Sequence, residues 1–154
     1  MPKTNWFKLI IAILICQAAG GIGSIFTMPA IGAWYATLHK PFFNPPNWIF
    51  GPVWTLLFLL MGFALYLVWQ KKDNKKALII FGIQLILNIA WSFCFFYVQN
   101  PLAGLIEILV LWIFILLTII YFYKISKSAA YLLIPYILWV SFAAVLNYFL
   151  YILN

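Results

Sequence analysis

Gln84, Asn88 and Ser92 recur at four-residue steps, with Trp91 beside them at i+7 from Gln84. A helix stacks such positions on one face. Pro135, Trp139, Ala143 and Asn147 follow the same step, as do Trp54 and Phe58. Amides, a hydroxyl and indoles can line a pocket by hydrogen bonding and by stacking on a flat ligand. The same residue types also glue helices together and anchor them at a membrane interface. Trp91 and Trp139 lie several residues inside their apolar runs, and Ala143 beside Trp139 leaves room for a ligand or for a neighbouring helix.

Other reactive groups are sparse. Glu107 is the single acid inside an apolar run. It reads as a buried carboxyl, hydrogen-bonded or protonated, or as a proton or ligand contact. The sole histidine, His39, could hold a haem iron axially or be an incidental loop residue. Cys16 and Cys94 lie in apolar runs and read as small buried hydrophobes, so no metal site is expected. Asp73 sits among lysines and reads as solvated. There is no Ser-His-Asp set, H-E-x-x-H pair or Walker-type glycine loop, which leaves conventional hydrolysis and phosphoryl transfer without residues to run on. Dinucleotide-type dehydrogenation lacks its strand-and-glycine frame.

The elements that must position these groups follow from composition. Of 154 residues, 68% are hydrophobic and 7% charged, more apolar surface than a soluble fold of this size can hide. The solvent for most of the chain is therefore lipid. Five stretches, about 6–28, 46–70, 77–98, 102–123 and 129–153, are long enough to cross roughly 30 Å of hydrocarbon, for which about 20 residues suffice. They lack the alternation of barrel strands, so the expected fold is an all-α, five-transmembrane-helix bundle in one domain. The first run continues through Ile25 and Phe26 with no A-x-A site after its core, and reads as a retained helix. Ala19/Gly23 and Gly20/Ser24 on it are small-xxx-small pairs that permit close packing, within the protomer or across a dimer.

The net charge of +7 comes with nine basic residues, all lysine. Base readout and phosphate forks favour arginine, so nucleic acid is not the expected partner. Lys3, Lys8, Lys71, Lys72, Lys75, Lys76, Lys124 and Lys127 fall on one side of a five-span topology, against Lys40 alone on the other. That asymmetry predicts a cytoplasmic N-terminus, with the first loop and C-terminus outside. The outer loop, about 29–45, leads into the second helix through WYATLHKPFFNPPNWIFGPVW, a segment with seven aromatic and four proline residues. Prolines restrict themselves and the residues before them, so such a loop loses little entropy on ordering and reads as a stiff lid.

This segment, Trp34-Tyr35-x-x-Leu38-x-Lys40-Pro41 and then Pro45-Pro46-x-Trp48-x-Phe50-x-Pro52-Val53-Trp54, resembles the signature of the translocator protein family. That family, TspO/MBR, comprises tryptophan-rich sensory proteins and peripheral-type benzodiazepine receptors. Gln84-x-x-x-Asn88-x-x-Trp91-Ser92 and Pro135-Tyr136-x-x-Trp139 through Leu146-Asn147 carry the resemblance across the whole chain. It implies a five-helix bundle, often homodimeric, with a ligand pocket under the first loop. Binding of protoporphyrin IX, haem and the synthetic ligand PK11195 is implied, with the porphyrin as ligand or substrate and no resident cofactor required. Carried over by position, the ligand-binding residues are Tyr35, Pro45, Trp54, Phe58, Asn88, Trp91, Trp139 and Ala143, with Trp54 and Trp139 the electron donors to a photoexcited porphyrin. The activities implied are light-dependent oxidative porphyrin breakdown or tetrapyrrole transport, and a third reading is a ligand sensor without turnover. The lysine-only, Ile/Phe/Asn-rich composition suggests a bacterial member, in the cell membrane. Animal members carry a cholesterol-recognition pattern ending in Lys or Arg after a tyrosine in the fifth helix; Tyr148 here is followed by no basic residue, which leaves sterol binding without that feature.

Overall fold

The computed structural model describes residues 3–154. Its helices are α1 (Trp6–Ile31), α2 (Trp34–Thr37), α3 (Asn47–Trp69), α4 (Lys75–Ser92, prolonged by a π-helical turn Phe93–Tyr97), α5 (Pro101–Ile125), α6 (Lys127–Leu132) and α7 (Ile134–Leu153). No strand occurs among the described residues. Five spans are long and apolar enough to cross a membrane: α1, α3, α4 with its π turn, α5, and α6–α7 together. The expected all-α five-helix bundle is the architecture found.

The ends of the elements are set by local chemistry. Asn100 Oδ1 accepts from the Leu102 and Ala103 amides at 3.1 Å each, and Pro101 takes the first helical position, where its missing N–H costs nothing. Gln99 supplies the left-handed residue of this tight turn, at φ 57°. Four boundaries differ from expectation by two residues or more, one being the end of α5 at Ile125 where about 123 was expected. α1 runs past Pro29 to Ile31, because proline in a last turn removes only one hydrogen bond. α4 begins at Lys75 instead of 77, since Asn74 Nδ2 donates to the Val68 and Trp69 carbonyls and closes α3 within a short turn. The last span starts at Lys127, capped by Ser126 Oγ on the Ala129 amide, and breaks at Leu133 just before Pro135.

α1 packs mainly on α3, α4 on α5, and α5 on α7, while α1 also meets α4. The α1 and α3 backbones meet toward the lysine-bearing end. A Cβ on Gly62 of α3 would stand 2.8 Å from Ile13 Cα, so only glycine lets the two backbones meet. Met61, Ala64 and Val68 are fully buried beside it, and Phe81 of α4 stacks on Phe122 of α5 at 5.7 Å and 13°. The small residues of α1 serve packing within the protomer: Gly23 faces Ser92, and a Cβ on Gly20 would stand 2.7 Å from the Phe58 ring. The surface is a continuous belt of isoleucine, leucine and aromatic side chains, as lipid requires.

Candidate functional site

At the loop-bearing end the helices enclose a cavity of about 590 Å³, within the roughly 300–1,000 Å³ usual for small-molecule sites. Its walls are helix faces that four-residue spacing makes continuous. Asn88, Trp91 and Ser92 come from α4, Trp139, Ala143 and Asn147 from α7, and Trp54 and Phe58 from α3. Tyr35 of α2 reaches in from the loop. Seven of the eight expected ligand residues therefore share one space. Pro45 does not line it; that residue stands in the loop, its carbonyl accepting from Asn44 Nδ2 at 3.2 Å.

Aromatic rings dominate the interior. Trp54 lies 5.8 Å from Phe58 at 32° and 6.5 Å from Trp91 at 31°, and Trp91 stacks on Phe95 at 5.4 Å and 21°. Phe50 meets Trp139 edge-on at 6.2 Å. Phe95 and Phe96, both on the π turn, add two further rings to the lining.

Polar groups are fixed at the edges. Trp91 Nε1 donates to Asn147 Oδ1 at 3.0 Å, and Asn147 Nδ2 donates to the Pro101 carbonyl at 2.8 Å. Asn88 Nδ2 donates to the Tyr136 hydroxyl at 2.7 Å, which donates on to Gln84 Oε1 at 2.8 Å. Gln84 shares the buried face of Asn88 and Ser92 but lies below the cavity, forming its floor with Tyr136. Trp139 Nε1 is buried with no hydrogen-bond partner among the described residues, a donor left free beside the space. Each buried donor is worth satisfying, so this one favours a ligand acceptor.

The loop roofs the site. Tyr35 is 3% exposed, its hydroxyl donates to Asn44 Oδ1 at 2.8 Å, and burial pushes its phenol up to about 12. Lys40 Nζ lies 4.8 Å over the Tyr35 ring. The His39 amide donates to Asn154 Oδ1 and the His39 carbonyl accepts from Asn154 Nδ2, both at 2.9 Å, which ties the loop to the end of α7. His39 itself is exposed and outside the lining. Both Glu107 oxygens are buried without a hydrogen-bond partner among the described residues, away from the cavity wall. Cys16 and Cys94 are free thiols, and no cluster of potential metal ligands occurs among the described residues.

Tyr136 and the phenylalanines at 50, 95 and 96 are the parts of the site that residue-by-residue reading missed. A tyrosine inside an apolar span, three residues before Trp139, was the available signal for the first. Phe50 stood in the quoted motif without being read as lining, and Phe95 and Phe96 carried no mark among the 15 phenylalanines of the chain.

A polytopic helical membrane protein with a roofed aromatic cavity at one end of the bundle is the class that fold and site define. Residues 12–153 match the model of the TspO/MBR family. The chain is 49% identical to the tryptophan-rich protein TspO of Chlorobaculum tepidum over 95% of both chains, and 48% identical to that of Archaeoglobus fulgidus over 97% of this chain and 99% of the other. It is 38% identical to the human translocator protein over 82% of this chain and 78% of that one. The chain belongs to the TspO/MBR family.

Proposed function

We propose that this membrane protein binds a flat tetrapyrrole, protoporphyrin IX or haem, in the cavity under the loop, and promotes its photo-oxidative degradation. The carrying observation is the cavity itself: tilted and stacked indole and phenyl faces with hydrogen-bonding groups held at the rim. Each ring pair with a planar π-system contributes about 0.5–1.5 kcal/mol beyond area burial. The propionates would meet Asn88, Lys40 or loop amides, and the free Trp139 N–H offers a further donor. Axial ligation is not needed, so metal-free porphyrin binds as well and no resident cofactor is required. PK11195-type ligands fit the same apolar space.

For turnover, dioxygen from the bilayer is the oxidant. An electron passes from Trp54 or Trp139 to the photoexcited porphyrin and from it to dioxygen; the oxidised indole recovers an electron from a ground-state porphyrin. The net change is porphyrin oxidised and dioxygen reduced. Gln84, Tyr136 and Met61, linked by hydrogen bonds, must separate before a carrier could pass a ligand through the bundle, which favours this reading over transport. In this reading the protein works as a homodimer in a bacterial cell membrane, with the lysine-rich end cytoplasmic.

Titration of protoporphyrin IX into protein-loaded nanodiscs, followed by tryptophan quenching and a shift of the porphyrin absorption band, tests the binding. Saturable one-site binding that Ala143→Trp abolishes is expected. Partition equal to that of empty nanodiscs would remove the proposal.

A further inference from the structure

On one side the cavity wall is not closed. Where α1 faces α3, the lining residues Gly21, Gly51 and Thr55 are exposed, as are Trp48 (73%) and Met28 (74%) above them. The two helices touch at Gly62 and Ile13 near the lysine-bearing end. Midway, Gln17 Nε2 donates to the Thr55 carbonyl at 3.1 Å, and Gly20 packs on the Phe58 ring. Beyond it, a Cβ added to Gly21 or to Gly51 would find no atom within 4 Å, so the seam is unfilled while both positions border the cavity.

The lips of this seam suit an apolar passenger. Ser24, Thr27 and Thr55 each donate to a carbonyl four residues back, at 2.9, 3.1 and 2.8 Å, which leaves no free hydroxyl hydrogen facing lipid. The roof, in contrast, is held shut by the Tyr35–Asn44 bond and the paired His39–Asn154 bonds. Passage through the roof must break these bonds; passage through the seam breaks none.

We infer that the gap between α1 and α3 is a lateral mouth, through which a flat, membrane-dissolved aromatic amphiphile moves between the loop-side leaflet and the cavity while the loop stays closed. Gln17 and Thr55 form its sill, and the missing side chains of Gly21 and Gly51 form its aperture. The inference rests on the cavity being a ligand pocket.

Stopped-flow mixing of porphyrin-loaded phosphatidylcholine vesicles with protein-loaded nanodiscs tests it. The variants are Gly21→Leu/Gly51→Leu, Gly21→Ala/Gly51→Ala, and the control Gly82→Leu. Gly82 lies on α4 outside the lining and also has nothing within 4 Å of a Cβ. Leucine and alanine are favoured over glycine at helical positions 21 and 82; Gly51 precedes Pro52, which resists a Cβ on a helical neighbour, so Gly21→Leu alone is measured beside the pairs and should slow both rates in the same sense. The leucine pair slows both association and dissociation about tenfold, equivalent to about 1.4 kcal/mol on the passage barrier; the alanine pair falls between, and Gly82→Leu matches wild type. A lost contact would speed dissociation instead, so slower release marks the aperture. Wild-type rates in the leucine pair overturn the mouth while leaving the pocket intact, as does an altered oligomeric state, which makes the seam a subunit interface. No saturable binding by wild type and Gly82→Leu overturns the pocket and the mouth together.

Discussion

At the lysine-bearing end α1 and α3 close until a Cβ on Gly62 would stand 2.8 Å from Ile13, whereas at the loop-bearing end the same two helices leave Gly21 and Gly51 with open space around them. The closed half buries Met61, Ala64, Val68 and Phe122 completely and stacks Phe81 on Phe122. The open half spends comparable side chains on the walls of a cavity. Both halves are apolar, so hydrophobicity does not tell them apart. What differs is where glycine lets backbones meet and where it leaves a gap, and which rings have neighbours on both faces. The cavity, the proposed ligand site, thereby lies at one end of the bundle, and the meeting of the α1 and α3 backbones lies toward the other.

That division can be broken at either end. The largest effect is expected from Gly62→Leu, which forces a side chain into the Ile13 backbone and costs about 3 kcal/mol. A fall in the thermal midpoint and in yield of folded protein in detergent would show it, while Gly21→Leu in the open half stays within about 0.5 kcal/mol of wild type. Next comes Tyr136→Phe at the floor between the halves. It removes the hydroxyl that joins Asn88 to Gln84, for a loss between about 0.6 kcal/mol, one average membrane hydrogen bond, and about 3 kcal/mol, for buried amides left unpaired. Differential scanning fluorimetry reads the loss, and porphyrin affinity should weaken with it because Asn88 loses its orientation.

Ala143→Leu acts on the open half alone. Filling the wall beside Trp139 lowers porphyrin affinity at least about tenfold, or about 1.4 kcal/mol, with the thermal midpoint unchanged; an equal fall in both would dissolve the distinction between the halves. Tyr35→Phe is the smallest, removing one roof hydrogen bond worth about 0.5–1.5 kcal/mol. Its phenol is pushed up to about 12 from an ordinary 10.0 by burial, so the fold favours the neutral form. The roof contribution is whole below about pH 10 and fades as pH climbs toward 12. Between about pH 7 and 9 Tyr35 adds no pH dependence to affinity, which equilibrium titration checks.

Much of the closed architecture was legible in the residues. Twenty-residue apolar runs in lipid can only be helices, and the four-residue steps through Asn88 and through Trp139 placed the correct faces inward. Boundaries were less legible where a single side chain decided them: Ser126 and Asn74 each shorten a turn by capping, and Pro29 fails to stop a helix already near its end. The π turn at 93–97 left no sequence mark, and Phe95 and Phe96 lie on it. Pro45 belonged to the quoted motif but stiffens the loop outside the lining. The open seam was also hidden: Gly20 and Gly21 are neighbours in sequence, yet one abuts Phe58 and the other faces nothing.

In the proposed reaction the open half holds the porphyrin and its indoles do the chemistry. Absorption spectra of protoporphyrin IX, followed in the dark and under illumination with wild type, Trp54→Phe, Trp139→Phe and empty micelles, test this most directly. Porphyrin bound by all three proteins should be stable in the dark, lost under light with wild type, and lost at least about tenfold more slowly with either variant, a barrier change of about 1.4 kcal/mol. Equal rates of loss in wild type, both variants and empty micelles would contradict it.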